Sequence, residues 1–109
     1  MGLDITITRR QKIVCPKCGE VVSNKVLEYA KGGGRGWYPL LEKLGYYIPY
    51  DQRTEENDWY GKDMVLTDEQ ADEVYRFVTT HDLYGADGAA SVIAVARYNH
   101  DDIVINADW

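Results

Sequence analysis

Leu3, Ile5 and Ile7 alternate with Asp4, Thr6 and Thr8, the period-two pattern of a strand with one buried face. Ile13 and Val14 precede a cysteine turn and Val21 and Val22 follow it, which predicts two short strands joined at residues 15–19 as a hairpin. Residues 25–31 read as one or two helical turns ended by Gly32, Gly33 and Gly34. A short helix is predicted over residues 37–44, with Pro39 in its first turn and Gly45 at its C-terminal cap. The clearest helix is 68–80, where Thr67 and Gln70 form a Thr-x-x-Gln capping box and Ala71, Val74, Tyr75 and Val78 make the apolar stripe. Residues 89–98 fit either an alanine-rich helix or the first arm of a hairpin turning at 99–102. The alanines favour the helix. Ile103, Val104 and Ile105 read as a closing strand buried on both faces.

Strands at both ends with helices between them predict an α+β domain, a small antiparallel or mixed sheet with two to four helices and an N-terminal zinc-ribbon-like hairpin. At 109 residues, one domain is expected over 1–109: a strand and cysteine hairpin in 1–23, an aromatic and acidic region in 37–66, and helices with the closing strand in 67–109. Charge divides the chain unevenly. Residues 1–50 carry a net +4, residues 51–73 a net −7, and the remainder −3, for a total of −6. That balance counts against nucleic-acid or anionic-membrane binding through a generally basic surface, and favours a partner with a basic face. The longest apolar run, Val92 to Ala96, is far too short for a membrane span, and the N-terminus lacks the pattern of a signal peptide. A cytoplasmic protein, monomeric or homodimeric, is expected.

Cys15-Pro-Lys-Cys18-Gly19 is the most specific short motif. Two thiolates two residues apart can chelate one tetrahedral ion, with the proline fixing the turn and the glycine relieving strain where the backbone folds around the metal. The pair is half of a zinc site. Completion would come from His100, the favoured ligand, from His81, from a carboxylate such as Asp101, or from a second subunit; the alternatives are a redox dithiol and an empty turn, whose hairpin would be held by Ile13, Val14, Val21 and Val22 packing on the sheet. His81, at the end of the 68–80 helix, is expected instead to bond that helix's last carbonyls.

Nothing in the sequence supports catalysis. Residues 32–36 lack the Gly-Lys-Ser/Thr of a phosphate loop, and Trp37 stands where a dinucleotide fingerprint needs glycine. A calcium loop centred on Gly61 fails at Tyr60 and Thr67, and neither serine, Ser23 or Ser91, lies beside a histidine. The aromatic residues are unusual: nine Tyr and three Trp accompany one Phe, and seven of these thirteen rings lie within 37–60. Tyr and Trp supply rigid contact area at binding hot spots. Tyr50, Glu55, Glu56, Asp58, Trp59, Tyr60 and Asp63 are therefore the candidate partner-binding residues, whereas Trp37 and Tyr46 are assigned to the core.

The opening Leu3-Asp4-Ile5-Thr6-Ile7, the Cys15-Pro-Lys-Cys18 turn, residues 46–51 and 55–61, and the closing 104–109 together resemble a group of small proteins encoded by bacteriophages and prophages. Small acidic phage proteins without enzyme motifs resemble, as a class, inhibitors of host nucleic-acid machinery, including anti-CRISPR proteins. The expectation is a non-enzymatic accessory protein that binds and inhibits a basic, nucleic-acid-binding host protein. The alternative is a zinc-ribbon-like adaptor whose Lys12, Lys17 and Lys25 contact nucleic acid or an acidic protein.

Overall fold

The computed structural model describes residues 3–108, without the side chains of residues 21–24 and 50. Two long strands, β1 (Asp4–Val14) and β2 (Val21–Gly33), are followed by α1 (Tyr38–Leu44), the two-residue β3 (Met64–Val65), α2 (Asp68–Thr80), α3 (Ala86–Asn99) and β4 (Asp102–Asp108). The sheet is antiparallel throughout, in the order β2-β1-β4-β3. The α+β class and antiparallel sheet are as expected. No helix among the described residues is long and apolar enough to cross a membrane.

One face of the sheet carries the core. Ile7 pairs with Ala30 on one side and Ile105 on the other, and Ile105 pairs with Met64, so these side chains share the helix-covered face. With Leu3, Ile5, Ile103 and Ala107 they meet Leu40, Leu41 and Leu44 of α1, Ala71, Val74 and Val78 of α2, and Ala89, Val92, Ile93 and Ala96 of α3. Alanines in α3 let it approach closely: a side chain added at Gly88 would meet Ala30 Cβ at 3.3 Å. On the opposite face Tyr29, Thr8, Val104 and Val65 form a row across the sheet, with Val104 buried and Tyr29 and Val65 exposed.

Local signals set the helix ends. Thr67 accepts from Gln70 N while Gln70 Oε1 accepts from Thr67 N, the predicted capping box. Gly45, with φ +77°, closes α1 in the left-handed region. Residues 89–98 are helical, and Ile103, Val104 and Ile105 are buried in β4 as expected. Trp37 and Tyr46 are core residues, with Trp37 Nε1 donating to Tyr84 O at 3.1 Å.

Four expectations are corrected. Residues 25–31 are strand, because pairing with β1 overrides the helical leaning of Leu27, Glu28, Ala30 and Lys31. The segments at 3–7 and 13–14 belong to one strand rather than two. Ile13 and Val14 do not pack on the sheet but are exposed, and Tyr75 lies on the solvent side of α2. The side chains of Val21 and Val22, assigned to the same packing, lie outside the described residues.

Candidate functional site

β4 reaches β1 only as far as Arg10, which pairs with Asp102. Beyond that point β1 and β2 continue with no other strand beside them, through Gln11↔Lys25 to Val14↔Val21. The result is a two-stranded arm extending past the four-stranded body. Molecular extents of 47 × 32 × 24 Å and a radius of gyration of 14.5 Å reflect it, against roughly 13 Å for a compact chain of this length. Register shifts at Arg9/Arg10 and Ile13/Val14 place bulges in the ribbon, which strengthen its twist. Ile13 is 42% exposed, Val14 49%, Val26 57% and Tyr29 61%, and Lys12, Lys17, Lys25 and Lys31 also face solvent. The Lys31 ammonium lies 5.9 Å from the Tyr29 ring centroid.

Ion pairs fix the root of the arm. Arg9 Nη1 donates to Asp101 Oδ2 at 2.9 Å with both side chains largely buried, and Arg9 Nε lies 3.6 Å from Glu28. Asp102 Oδ2 faces Arg10 Nη2 at 3.9 Å and Lys12 Nζ at 3.7 Å. The arginines and Lys12 thus pair with acids at the root, and Lys17 and Lys25 remain further out.

The cysteine motif forms the tip. Cys15 N donates to Glu20 O at 2.8 Å, and Gly19 N to Cys15 O at 2.9 Å, with Gly19 at φ +74°. Cys18 S–H donates to the Cys15 sulfur, and the amides of Lys17 and Cys18 point at the same atom, so the Cys15 thiol is held below its usual range. Both cysteines are free thiols. Among the described residues no three His, Cys, Asp or Glu side chains are grouped to hold a metal ion, so His100 does not join Cys15 and Cys18. His100 instead caps α3 in the left-handed region at φ 59° and lines a groove of about 410 Å³ with Asp68, Arg97 and Asp101. His81 Nδ1 lies 3.0 Å from Phe77 O at the end of α2, its expected place.

The acidic and aromatic loop is arranged differently. Tyr46 Oη donates to Lys62 O at 2.6 Å and accepts from Ala107 N at 2.8 Å, tying the loop to β4. Trp59 is half-buried and stacks on Tyr46, with centroids 6.1 Å apart, so its ring contributes to the core. Asp58 Oδ1 accepts from Tyr60 N at 3.1 Å, and Asp63 Oδ1 from Asn106 Nδ2 at 2.8 Å. Glu55, Glu56 and Tyr60 face solvent, Tyr60 at 47% exposure; the Tyr50 side chain lies outside the described residues.

The acidic run of 51–73 is also split in space. Gly61 N bonds Ala107 O at one end of β4, and Leu66 N bonds Ile103 O towards the other. Ile103 and Ala107 are four strand steps apart, about 13 Å. Asp68, Glu69, Asp72 and Glu73 ride on α2 beyond this point.

Sequence reasoning missed Val26, Tyr29 and Lys31 as exposed residues of β2. The usable signal was symmetry about the turn: a long strand on one side of a tight hairpin requires a partner of similar length on the other. No protein-family model, curated protein or solved structure matches this chain.

Proposed function

We propose that the protein is a non-enzymatic binding module whose contact element is the hairpin arm, and that its partner is nucleic acid. One observation carries this reading: the ribbon beyond Arg10 has no strand beside it and leaves Lys17 and Lys25 exposed with Ile13 and Val14, while Lys12 faces solvent beside Asp102. A two-stranded ribbon adds little stability by itself, so its length is explained by contact rather than by folding. Its dimensions suit a major groove, where lysines reach phosphates and the apolar side chains meet the groove floor. The acidic body stands at the other end and limits indiscriminate binding.

Fluorescence anisotropy with labelled duplex DNA and RNA at low salt tests it. Affinity should fall steeply as salt rises, and the triple variant Lys12→Glu, Lys17→Glu, Lys25→Glu should bind on the order of 100-fold more weakly or worse. No binding at low salt, or an unaffected triple variant, would overturn the proposal.

Exposure of Glu55, Glu56 and Tyr60 favours a second reading, in which the loop faces a basic, nucleic-acid-binding host protein and inhibits it. It ranks lower because Trp59 is committed to Tyr46 and the acidic run is divided. Reversing Glu55, Glu56 and Asp58 to Lys should abolish capture of such a protein from bacterial lysate; unchanged capture removes this reading.

A further inference from the structure

We infer that the arm tip is half of a tetrathiolate zinc site, completed by Cys15 and Cys18 of a second copy of this chain. The argument rests on the tip and does not depend on nucleic-acid binding. Cys15 and Cys18 share one tight turn at the end of the ribbon, closed by Cys15 N donating to Glu20 O at 2.8 Å and Gly19 N to Cys15 O at 2.9 Å, and both are free thiols within reach of solvent. A tetrahedral ion with Zn–S near 2.3 Å needs sulfurs about 3.8 Å apart, a spacing that a Cys-x-x-Cys turn provides.

No third ligand comes from the described residues of the same chain. Among the described residues no His, Asp or Glu groups with the two cysteines, and the histidines are placed elsewhere, His81 against Phe77 and His100 at the end of α3. The tip's position supplies the rest of the inference. Projecting beyond the body, it can meet an identical tip head-on about a two-fold axis, the commonest symmetry of soluble oligomers. Ile13 and Val14, exposed just behind the cysteines, would be covered by the same contact. Each of the four thiols loses its proton to solvent as it coordinates. Four thiolates on one Zn²⁺ leave a charge of about −2, which Lys17 from each copy offsets.

Native mass spectrometry and light scattering of the full-length protein, reduced and loaded with zinc, read the stoichiometry directly. The expected species is a dimer holding one zinc, half an equivalent per chain, that a strong chelator returns to monomer. Cobalt substitution should give the thiolate-to-metal charge-transfer bands and intense visible absorption of a tetrahedral tetrathiolate. Cys15→Ser and Cys18→Ser should each abolish the metal and the dimer, while circular dichroism shows the monomer still folded. Ile13→Ser with Val14→Ser should weaken dimerisation about tenfold or more and leave the half-equivalent in the dimer that still forms. One zinc per monomer, a dimer indifferent to chelator, a Cys15–Cys18 disulfide that persists under reductant, or no zinc uptake would each overturn the inference. A dimer that forms as described but fails to bind nucleic acid would refute the proposed function and leave this site standing.

Discussion

The arm and the acidic loop are both excursions from the same four-stranded body, and they spend their polar groups in opposite ways. In the loop, Arg53 donates twice to Ile48 O, Thr54 and Asn57 bond each other's backbone amides, Asp58 caps Tyr60, and Asp63 takes Asn106. In the arm beyond its root, described side chains such as Lys25 and Ile13 extend from a ribbon held by its own backbone ladder. A dense charge run is therefore no measure of a binding surface. What matters is which side chains remain after the backbone has been satisfied, and by that measure the sparser basic arm offers more than the denser acidic loop.

Breaking the loop's anchor should have the largest effect. Tyr46 is fully buried, stacks on Trp59 and joins Lys62 to Ala107 through its hydroxyl. Tyr46→Ala should lower stability by about 3–5 kcal/mol in urea denaturation. Tyr46→Phe keeps the ring but leaves the Ala107 amide without that acceptor, and should cost about 1–3 kcal/mol. If both variants melted like the wild type, the loop would be no better anchored than the arm.

The root of the arm comes next. Arg9 and Asp101 form a part-buried, hydrogen-bonded ion pair linking β1 to the turn before β4. Arg9→Met removes the cation and leaves Asp101 without it, a loss of about 2 kcal/mol. Amide exchange should then quicken in residues 10–14 and 25–28 more than in residues 4–8. Uniform acceleration would mean that the arm and body open as one unit.

These anchors explain what the sequence made readable. The capping box of Thr67 and Gln70, the Gly45 cap and the Ala71/Val74/Val78 stripe are local, acting over three or four residues, and so they are visible in the chain. The strand at 25–31 depends on partners distant in sequence: Ala30 is small because α3 passes over it at Gly88, and Glu28 faces Arg9 across the ribbon. Neither fact can be read within a window of seven residues, where Leu27, Glu28, Ala30 and Lys31 look helical. The Met64–Val65 strand was missed for the same reason, since two residues carry no period and only β4 gives them a place. The cysteine motif was legible as a turn between two strands. Its position at the end of a projecting arm was not.

Alkaline pH separates the two regions more gently. Burial raises the Tyr46 phenol above its ordinary value near 10, so the folded state holds that proton more tightly than the unfolded chain. The corresponding stability is fully present below pH 10 and is lost as pH rises through 10 towards the folded-state value. Urea melts of wild type should therefore weaken above pH 10 more than those of Tyr46→Phe. Equal slopes would show that the hydroxyl is not shielded as its position implies. Exposed, non-titrating substitutions such as Val26→Thr should leave this alkaline limb unchanged.

The smallest expected effect is the most direct check on the arm. Val26 lies in β2 opposite Arg10, well exposed and absent from the buried core. Val26→Thr keeps the β-branch and hence the χ1 restriction that suits a strand, and replaces one methyl with a hydroxyl that can reach water. No cavity forms and no partner is stranded, so the change should lie within about 0.5 kcal/mol in a urea melt of the monomeric Cys18→Ser background. A loss above about 2 kcal/mol would mean that Val26 is packed against something within the chain, and the arm would then belong to the core. If instead stability holds while nucleic-acid affinity falls in the wild-type background, the contact reaches the ribbon's apolar side chains as well as its lysines, and the arm's exposure serves binding.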